Sequence, residues 1–338
     1  MSLTSFAANE QVLIDVTLKN YDNKPARILD WLVPCQEDTA LPEIPKDMSF
    51  FTISTAGGYV ARYVGAVFKR VKPTEKDYKM LKPGDEVSCT IDLGQYYNFA
   101  SESDDNTYEI KYLVTSLELS SNATARASAV ESLESNILTV DIDSRNAPAR
   151  ALRERKLQSL NSFRSCSTTR QSLLLEARSR SISAANDVLS VIAGVGQLAS
   201  SQSCPRYKDW FGNYDFNRHN ELRNGYTISR DRLNSASITF DCSCTSNDYA
   251  YVYPSLPYEI FLCGAFWTAP MTGTDSKMGT VIHEMTHFSA TAGTSDYAYG
   301  QTPCRNLAIN NPGFAINNAD SHEYVAENTP GLSCGSAM

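Results

Sequence analysis

Val281-Ile282-His283-Glu284-Met285-Thr286-His287 carries two of the chain's four histidines, four residues apart, with a glutamate directly after the first. On a helix this spacing places His283 and His287 one turn apart on one face. Both imidazoles can then reach a single Zn²⁺. Glu284 stands beside the position of an activated water and can take its proton as general base. The pattern should arise in roughly one random chain of this composition in several hundred. Gly279-Thr280-Val281-Ile282 before it and Phe288 after it make the helix mostly apolar. Imidazole and carboxylate groups on a half-buried helix need partners, and a metal supplies them.

A catalytic zinc takes three protein ligands and keeps one open position. A third histidine six residues past His287 would fall on Gly293, which excludes the metzincin spacing. Glu323 or Glu327, from a following helix, could complete the set. So could Asp296, the nearest acid downstream, just beyond the Gly293-Thr294 turn.

The run Gly293-Thr294-Ser295-Asp296-Tyr297-Ala298-Tyr299-Gly300 after H-E-x-x-H resembles the signature of the aspzincin metallopeptidases, the deuterolysin and peptidyl-Lys metalloendopeptidase group. The resemblance implies one catalytic Zn²⁺ held by His283, His287 and Asp296. It implies Glu284 as the proton-transfer group and Tyr299 as donor to the oxyanion. It extends over about 165–330, through Tyr207 with Trp210-Phe211-Gly212, Cys242-Ser243-Cys244, Tyr251-Val252-Tyr253-Pro254, Cys263-Gly264-Ala265-Phe266-Trp267 and Asn318-Ala319-Asp320. In the peptidyl-Lys branch the cysteine pattern resembles a pairing of Cys166 with Cys242 and of Cys244 with Cys263. Residues 9–142 resemble the β-type propeptide of secreted bacterial members, so the whole looks like an exotoxin-type pro-form.

At 338 residues the chain is long enough for two domains. Its net charge of −8 argues against nucleic acid or an anionic membrane as partner. No apolar run approaches the length of a membrane span. The first ten residues lack a basic and an apolar leader region, which suits a cytoplasmic protein or one whose export signal is missing from this sequence. Nine cysteines, with no paired C-x-x-C unit among them, favour disulfides and therefore secretion. Their odd number leaves at least one thiol free or paired between chains.

Residues 9–142 read as strands. Val12, Ile14, Val16 and Leu18 alternate with polar residues, as do Val87, Cys89, Ile91 and Leu93, and Tyr108, Ile110 and Tyr112. Tyr21–Pro25, Thr55–Gly58 and Lys82–Asp85 are turns. Short strands and polar turns predict an antiparallel β-sandwich over 1–142, without histidine and without chemistry of its own. Residues 143–165 form a linker in which Ser144–Lys156 holds five basic residues against one acid. It reads as solvated chain or as an exposed maturation segment, with Lys156 and several arginines as points of self-cleavage.

From 166 to 338 the periodicity is mostly helical: a zincin-type catalytic domain with a small sheet, so the chain is α+β. Leu173, Leu174, Ala177, Ile182, Ala185, Val188, Leu189 and Ile192 predict a helix over 168–194, stopped at Gly194. His219 belongs on a surface or helix face. Ser237–Asp241, Ala250–Pro254 and Ile260–Leu262 are short strands. Tyr251 to Tyr253 form a candidate edge on which an extended peptide could pair, or a plain hairpin. Asp275 or Ser276 caps the helix of the metal motif. Helices follow near 302–310 and at the C-terminal end.

Asp320 and Glu323 are three apart and face one way on a helix turn. They are either a helix cap with its capping-box partner or a pocket for a basic side chain. The peptidyl-Lys resemblance implies the second, with lysine directly after the cut bond, at P1′. The expected protein is a secreted, latent zinc endopeptidase acting on protein or peptide substrates. It is expected to be monomeric, with its own propeptide as intramolecular inhibitor covering the cleft. The competing expectation is an inactive peptidase-like toxin or adhesin whose β-sandwich binds a host surface.

Overall fold

A computed structural model describes residues 1–8, 11–35, 45–99, 106–117, 131–142, 161–200, 202 and 204–334. Helices and strands both occur among them, and the fold is α+β. The strands are β1 (Ser2–Ala8), β2 (Gln11–Lys19), β3 (Ala26–Leu29), β4 (Phe51–Thr55), β5 (Arg62–Tyr63), β6 (Val67–Lys69), β7 (Tyr78–Leu81), β8 (Glu86–Asp92), β9 (Tyr97–Asn98), β10 (Thr107–Leu117), β11 (Glu131–Glu134), β12 (Leu138–Asp141), β13 (Asn161–Arg164), β14 (Ile238–Asp241), β15 (Ala250–Val252) and β16 (Glu259–Leu262). The helices are α1 (Thr168–Leu198), α2 (Pro205–Phe211), α3 (Phe216–Ser235), α4 (Gly264–Thr268), α5 (Lys277–His287), α6 (Gln301–Asn310), α7 (Pro312–Ala315) and α8 (Ala319–Glu327). Two compact units result: Met1–Ala66 with Pro73–Leu152, and Val67–Lys72 with Arg153–Met338. Six residues from the middle of the strand-rich half thus belong to the second unit.

In the first unit β1, β2 and β8 form an antiparallel sheet. β10 pairs with β4 on one edge and with β12 and β11 along the other. The period-two pattern works as expected: Val12, Ile14, Val16 and Leu18 of β2 and Tyr108, Ile110 and Tyr112 of β10 are all buried in one core. Lys82-Pro83-Gly84-Asp85 turns the chain between β7 and β8. Gly84 takes φ +85°, and the Asp85 N–H donates to Lys82 O at 3.0 Å. That is a type II turn, which needs a residue free of Cβ at its third position. A Cys35–Cys89 disulfide ties this unit.

The second unit carries a mixed sheet in the order β13-β14-β16-β15-β6. β13, β14 and β16 are parallel; β15 runs antiparallel to β16, and β6 antiparallel to β15. The linker reading over 143–165 therefore ran too far, because Asn161–Arg164 is the strand β13, ordered by pairing with β14. Residues 143–160, including Lys156, lie outside the described residues. α1 does not stop at Gly194. The helix runs through Gly194 to Leu198, and the chain turns out at Ala199 with φ +46°. Of the two places expected for His219, a surface or a helix face, the helix face holds. It is buried on α3 against Gly196 and the rings of Tyr207 and Tyr214. Cys166–Cys242 and Cys244–Cys263 pair as the resemblance implied, Cys204 pairs with Cys334, and Cys304 is a buried free thiol.

Every residue of α5 is buried, packed among α1, α3 and α8. Its first turn has no water to satisfy it. Ser276 is the cap, its Oγ accepting from Gly279 N at 2.9 Å. Behind it, Glu327 of α8 accepts from the Asp275 and Ser276 N–H groups at 3.0 and 2.7 Å. The approach of α8 is so close that a Cβ on Gly279 would lie 2.1 Å from Glu327 Oε1. Gly279→Ala should cost about 1–3 kcal/mol by overpacking, read as a lower denaturant midpoint; an unchanged midpoint would mean Glu327 can move aside freely.

Candidate active site

α5 presents His283 and His287 on one face, ring centroids 4.8 Å apart. The Nδ1 of His287 lies 2.9 Å from the carbonyl of Thr294. A carbonyl can only accept, so Nδ1 carries the proton and Nε2 keeps its lone pair. His283 Nδ1 faces Asp320 Oδ1 at 3.0 Å, which orients that ring in the same sense. Both Nε2 atoms then converge on Asp296, His283 on Oδ1 at 3.3 Å and His287 on Oδ2 at 3.4 Å.

Asp296 is placed by a loop that α8 holds. Ser295 bridges to Asn318, and the Asn318 side chain accepts from the N–H groups of Tyr297 and Ala298 at 2.8 and 2.9 Å. Asp320 Oδ2 accepts from Gly300 N at 2.7 Å. This is work for Asn318-Ala319-Asp320, a run in which sequence reasoning assigned a role to Asp320 alone.

His283 Nε2, His287 Nε2, both Asp296 oxygens and both Glu284 oxygens are buried with no hydrogen-bond partner among the described residues. Each orphan of this kind costs about 1–3 kcal/mol, more when charged. A cation between the two imidazoles and the Asp296 carboxylate satisfies four of these atoms at once. The donor set, two nitrogens and a carboxylate with ligand atoms within 4.8 Å of one another, is that of a zinc site. Burial works against ionised Asp296, but His287 and His283 overcome it and hold the carboxyl well below the usual range. Glu284 is not among the three. Burial pushes its carboxyl up to about 7 against the pull of His283 and His287.

A second acidic group lies directly beside the first, and it holds a lysine. Lys69 of β6 sits with its ammonium 2.6 Å from Glu323, 3.7 Å from Asp275 and 3.9 Å from Asp320, and 4.8 Å from the ring centroid of Tyr249. The side chain is 1% exposed, so only paired carboxylates can keep it charged. Burial alone would push it down; Glu323, Asp320, Asp275 and Glu327 hold it well above its ordinary value. Asp320 and Glu323 do not form a capping box, since Asn318 is the N-cap of α8. Asp275, weighed only as a cap, instead closes the rim, taking a hydrogen bond from Tyr324 at 2.9 Å. Glu327, weighed as a ligand, faces the start of α5 and is pushed up to about 9 by burial and Glu323.

The edge of β15 is also taken. Tyr251 pairs with Phe68 and Ala250 with Lys69, antiparallel, and the rings of Phe68 and Tyr251 lie 4.9 Å apart. Tyr249 N donates to Lys69 O at 3.0 Å. Tyr299 donates its hydroxyl to the Phe68 carbonyl at 3.1 Å. Tyr253 packs edge-on to Tyr251 and Phe261 beyond the paired stretch.

Sequence reasoning named His283, Glu284, His287, Asp296, Tyr299, Asp320, Glu323, Tyr251 and Tyr253; the structure packs His283, His287, Asp296, Asp320 and Glu323 against one another with Glu284 buried beside them, and joins Tyr299 and Tyr251 to Phe68 of β6. It missed Lys69. The available signal was Val67-Phe68-Lys69, an apolar strand ending in the side chain that Asp320 and Glu323 were expected to accept.

A family model for lysine-specific metallo-endopeptidases of the aspzincin type matches residues 197–327. An extracellular protease of Aeromonas hydrophila is 36% identical over 329 residues, covering 96% of this chain and 90% of its own length. A peptidyl-Lys metalloendopeptidase of Grifola frondosa is 35% identical over 301 residues, covering 87% and 83%. A solved zinc peptidase from Grifola frondosa matches 50% of this chain and 100% of its own at 43% identity, with a TM-score of 0.47. The chain belongs to the aspzincin metallopeptidase family. It is therefore grouped with enzymes that hydrolyse peptide bonds with the help of a bound metal. No helix among the described residues is long and apolar enough to cross a membrane.

Proposed function

We propose that the chain is a secreted zinc endopeptidase in latent form that cuts peptide bonds on the amino side of lysine. One observation carries the specificity: an acidic pocket next to the convergent His283, His287 and Asp296 already holds a buried lysine ammonium. Those three residues would hold the ion, as one catalytic Zn²⁺. When bound, Zn²⁺ supplies Lewis-acid chemistry, making water more acidic and polarising a carbonyl.

The chain's own groups do the rest. β15 aligns an extended substrate by backbone pairing. Tyr299 donates to the oxygen of the carbonyl under attack, where negative charge develops. Glu284, buried and poised near neutral, takes a proton from the attacking water at one Oε and passes it to the leaving nitrogen. Asp320 and Glu323 receive the lysine that follows the cut bond. Latency is supported by the Val67–Lys69 strand filling both the edge and the pocket. The first unit, read as a β-sandwich whose two larger sheets share one core, serves as the prosegment. The names of the relatives from Aeromonas and Grifola fit secretion and lysine preference.

A peptide library digested by the activated enzyme and read by mass spectrometry tests this. Cuts should fall before lysine; cuts before apolar residues would leave the acidic pocket without a substrate role. Glu323→Gln should lower kcat/KM for lysine peptides by about 10²-fold while keeping the metal. An unchanged preference would move recognition elsewhere.

A further inference from the structure

The strand in the cleft has a register as well as a position, and the register points to one bond. If lysine is recognised on the carboxyl side of the cut, the carbonyl under attack belongs to the residue before it. Here that residue is Phe68, and its carbonyl oxygen is the one that accepts from Tyr299 at 3.1 Å. Lys69 meanwhile has its ammonium 2.6 Å from Glu323. Pairing of Phe68 with Tyr251 and of Lys69 with Ala250 holds the backbone extended between these two anchors.

We propose that Phe68–Lys69 is held as the scissile bond of an internal substrate, and that the chain's own site hydrolyses it without losing the inhibitor. This rests on the peptidase reading above. In the step, water adds to the Phe68 carbonyl carbon and the C–N bond to Lys69 breaks. The products are a carboxylate on Phe68 and an ammonium on Lys69, whose nitrogen receives both protons of the water.

The first unit is built to survive the cut. The Cys35–Cys89 disulfide brackets the bond, 54 residues apart in sequence. Four pairings also join residues before it to residues after it: β2 with β8, β3 with β7, β4 with β10 and β5 with β9. A nick between Phe68 and Lys69 therefore leaves both halves in place, with Lys69 still held by the acids. Cleavage there does not activate the enzyme.

The test uses the full chain equilibrated with zinc. Without reductant its mass should rise by one water; with reductant it should split into 1–68 and a fragment beginning at Lys69. Glu284→Gln should stay whole. Lys69→Met should not be cut there and should hydrolyse an added lysine peptide faster than the unmutated chain, by about 10²-fold. A readout independent of turnover is binding of a fluorescent lysine peptide. Glu284→Gln alone should exclude it, and Lys69→Met with Glu284→Gln should bind it. If the added peptide is cut before lysine while Phe68–Lys69 stays intact, the internal-substrate proposal fails and the peptidase reading stands. If neither the unmutated chain nor Lys69→Met takes up zinc or cuts any peptide, both fail. A nick in Glu284→Gln incubated alone would also overturn self-cleavage.

Discussion

Asp296→Ala is expected to lose the metal and the peptidase activity together. The Asp296 carboxylate faces both imidazoles, at 3.3 and 3.4 Å from their Nε2 atoms, and it is the group that keeps a positive charge favourable between them. Removing an outer partner of a metal ligand costs about 10- to 100-fold in affinity, and removing a direct ligand costs more. The loop around Asp296 should persist, since Asn318 holds it through the backbone of Tyr297 and Ala298. Metal content after dialysis, measured beside hydrolysis of a lysine peptide, checks this. Metal retained by Asp296→Ala but lost from Glu323→Ala would overturn the ligand assignment.

Glu284→Gln is expected to separate the two properties. Both carboxylate oxygens of Glu284 are buried without hydrogen-bond partners among the described residues, yet Glu284 lies outside the three converging ligands. Metal content and unfolding midpoint should therefore be unchanged. Proton transfer by a placed side chain contributes about 10²- to 10⁴-fold, and glutamine cannot supply it. With its carboxyl pushed to about 7 by burial against the pull of His283 and His287, Glu284 is suited to take a proton and return it near neutrality. Full turnover by Glu284→Gln would assign the proton transfer to another group.

The metal helix was legible in sequence because a helix of period 3.6 turns a spacing of four into one face. The strands of β2 and β10 were legible because their alternation is the pleat itself. What escaped were effects set by distant neighbours. α5 read as a mostly apolar, half-buried helix but is buried on all sides, since Gly279 lets α8 close over it. Asp275 looked like a cap, and only the fold separates it from Ser276, which caps, and turns it toward a lysine. Lys69 was the largest omission. It stands beside Arg70 and Lys72, its nearest acid in sequence is Glu75, and its partners come from the far end of the chain. Local patterns carry no information about such a contact. The acids themselves were found, because two carboxylates three residues apart call for a cation.

Among the described residues, two groups could hold an ion: His283, His287 and Asp296, or His283, Asp320 and Glu323. The second already has the Lys69 ammonium 2.6 Å from Glu323, and a cation there would have to displace it. Anomalous diffraction at the zinc edge, from crystals of the full chain equilibrated with zinc, distinguishes them. The expected result is one peak bounded by His283 Nε2, His287 Nε2 and the Asp296 carboxylate, with Lys69 still between Asp320 and Glu323. A peak among His283, Asp320 and Glu323, or none at all, would contradict it.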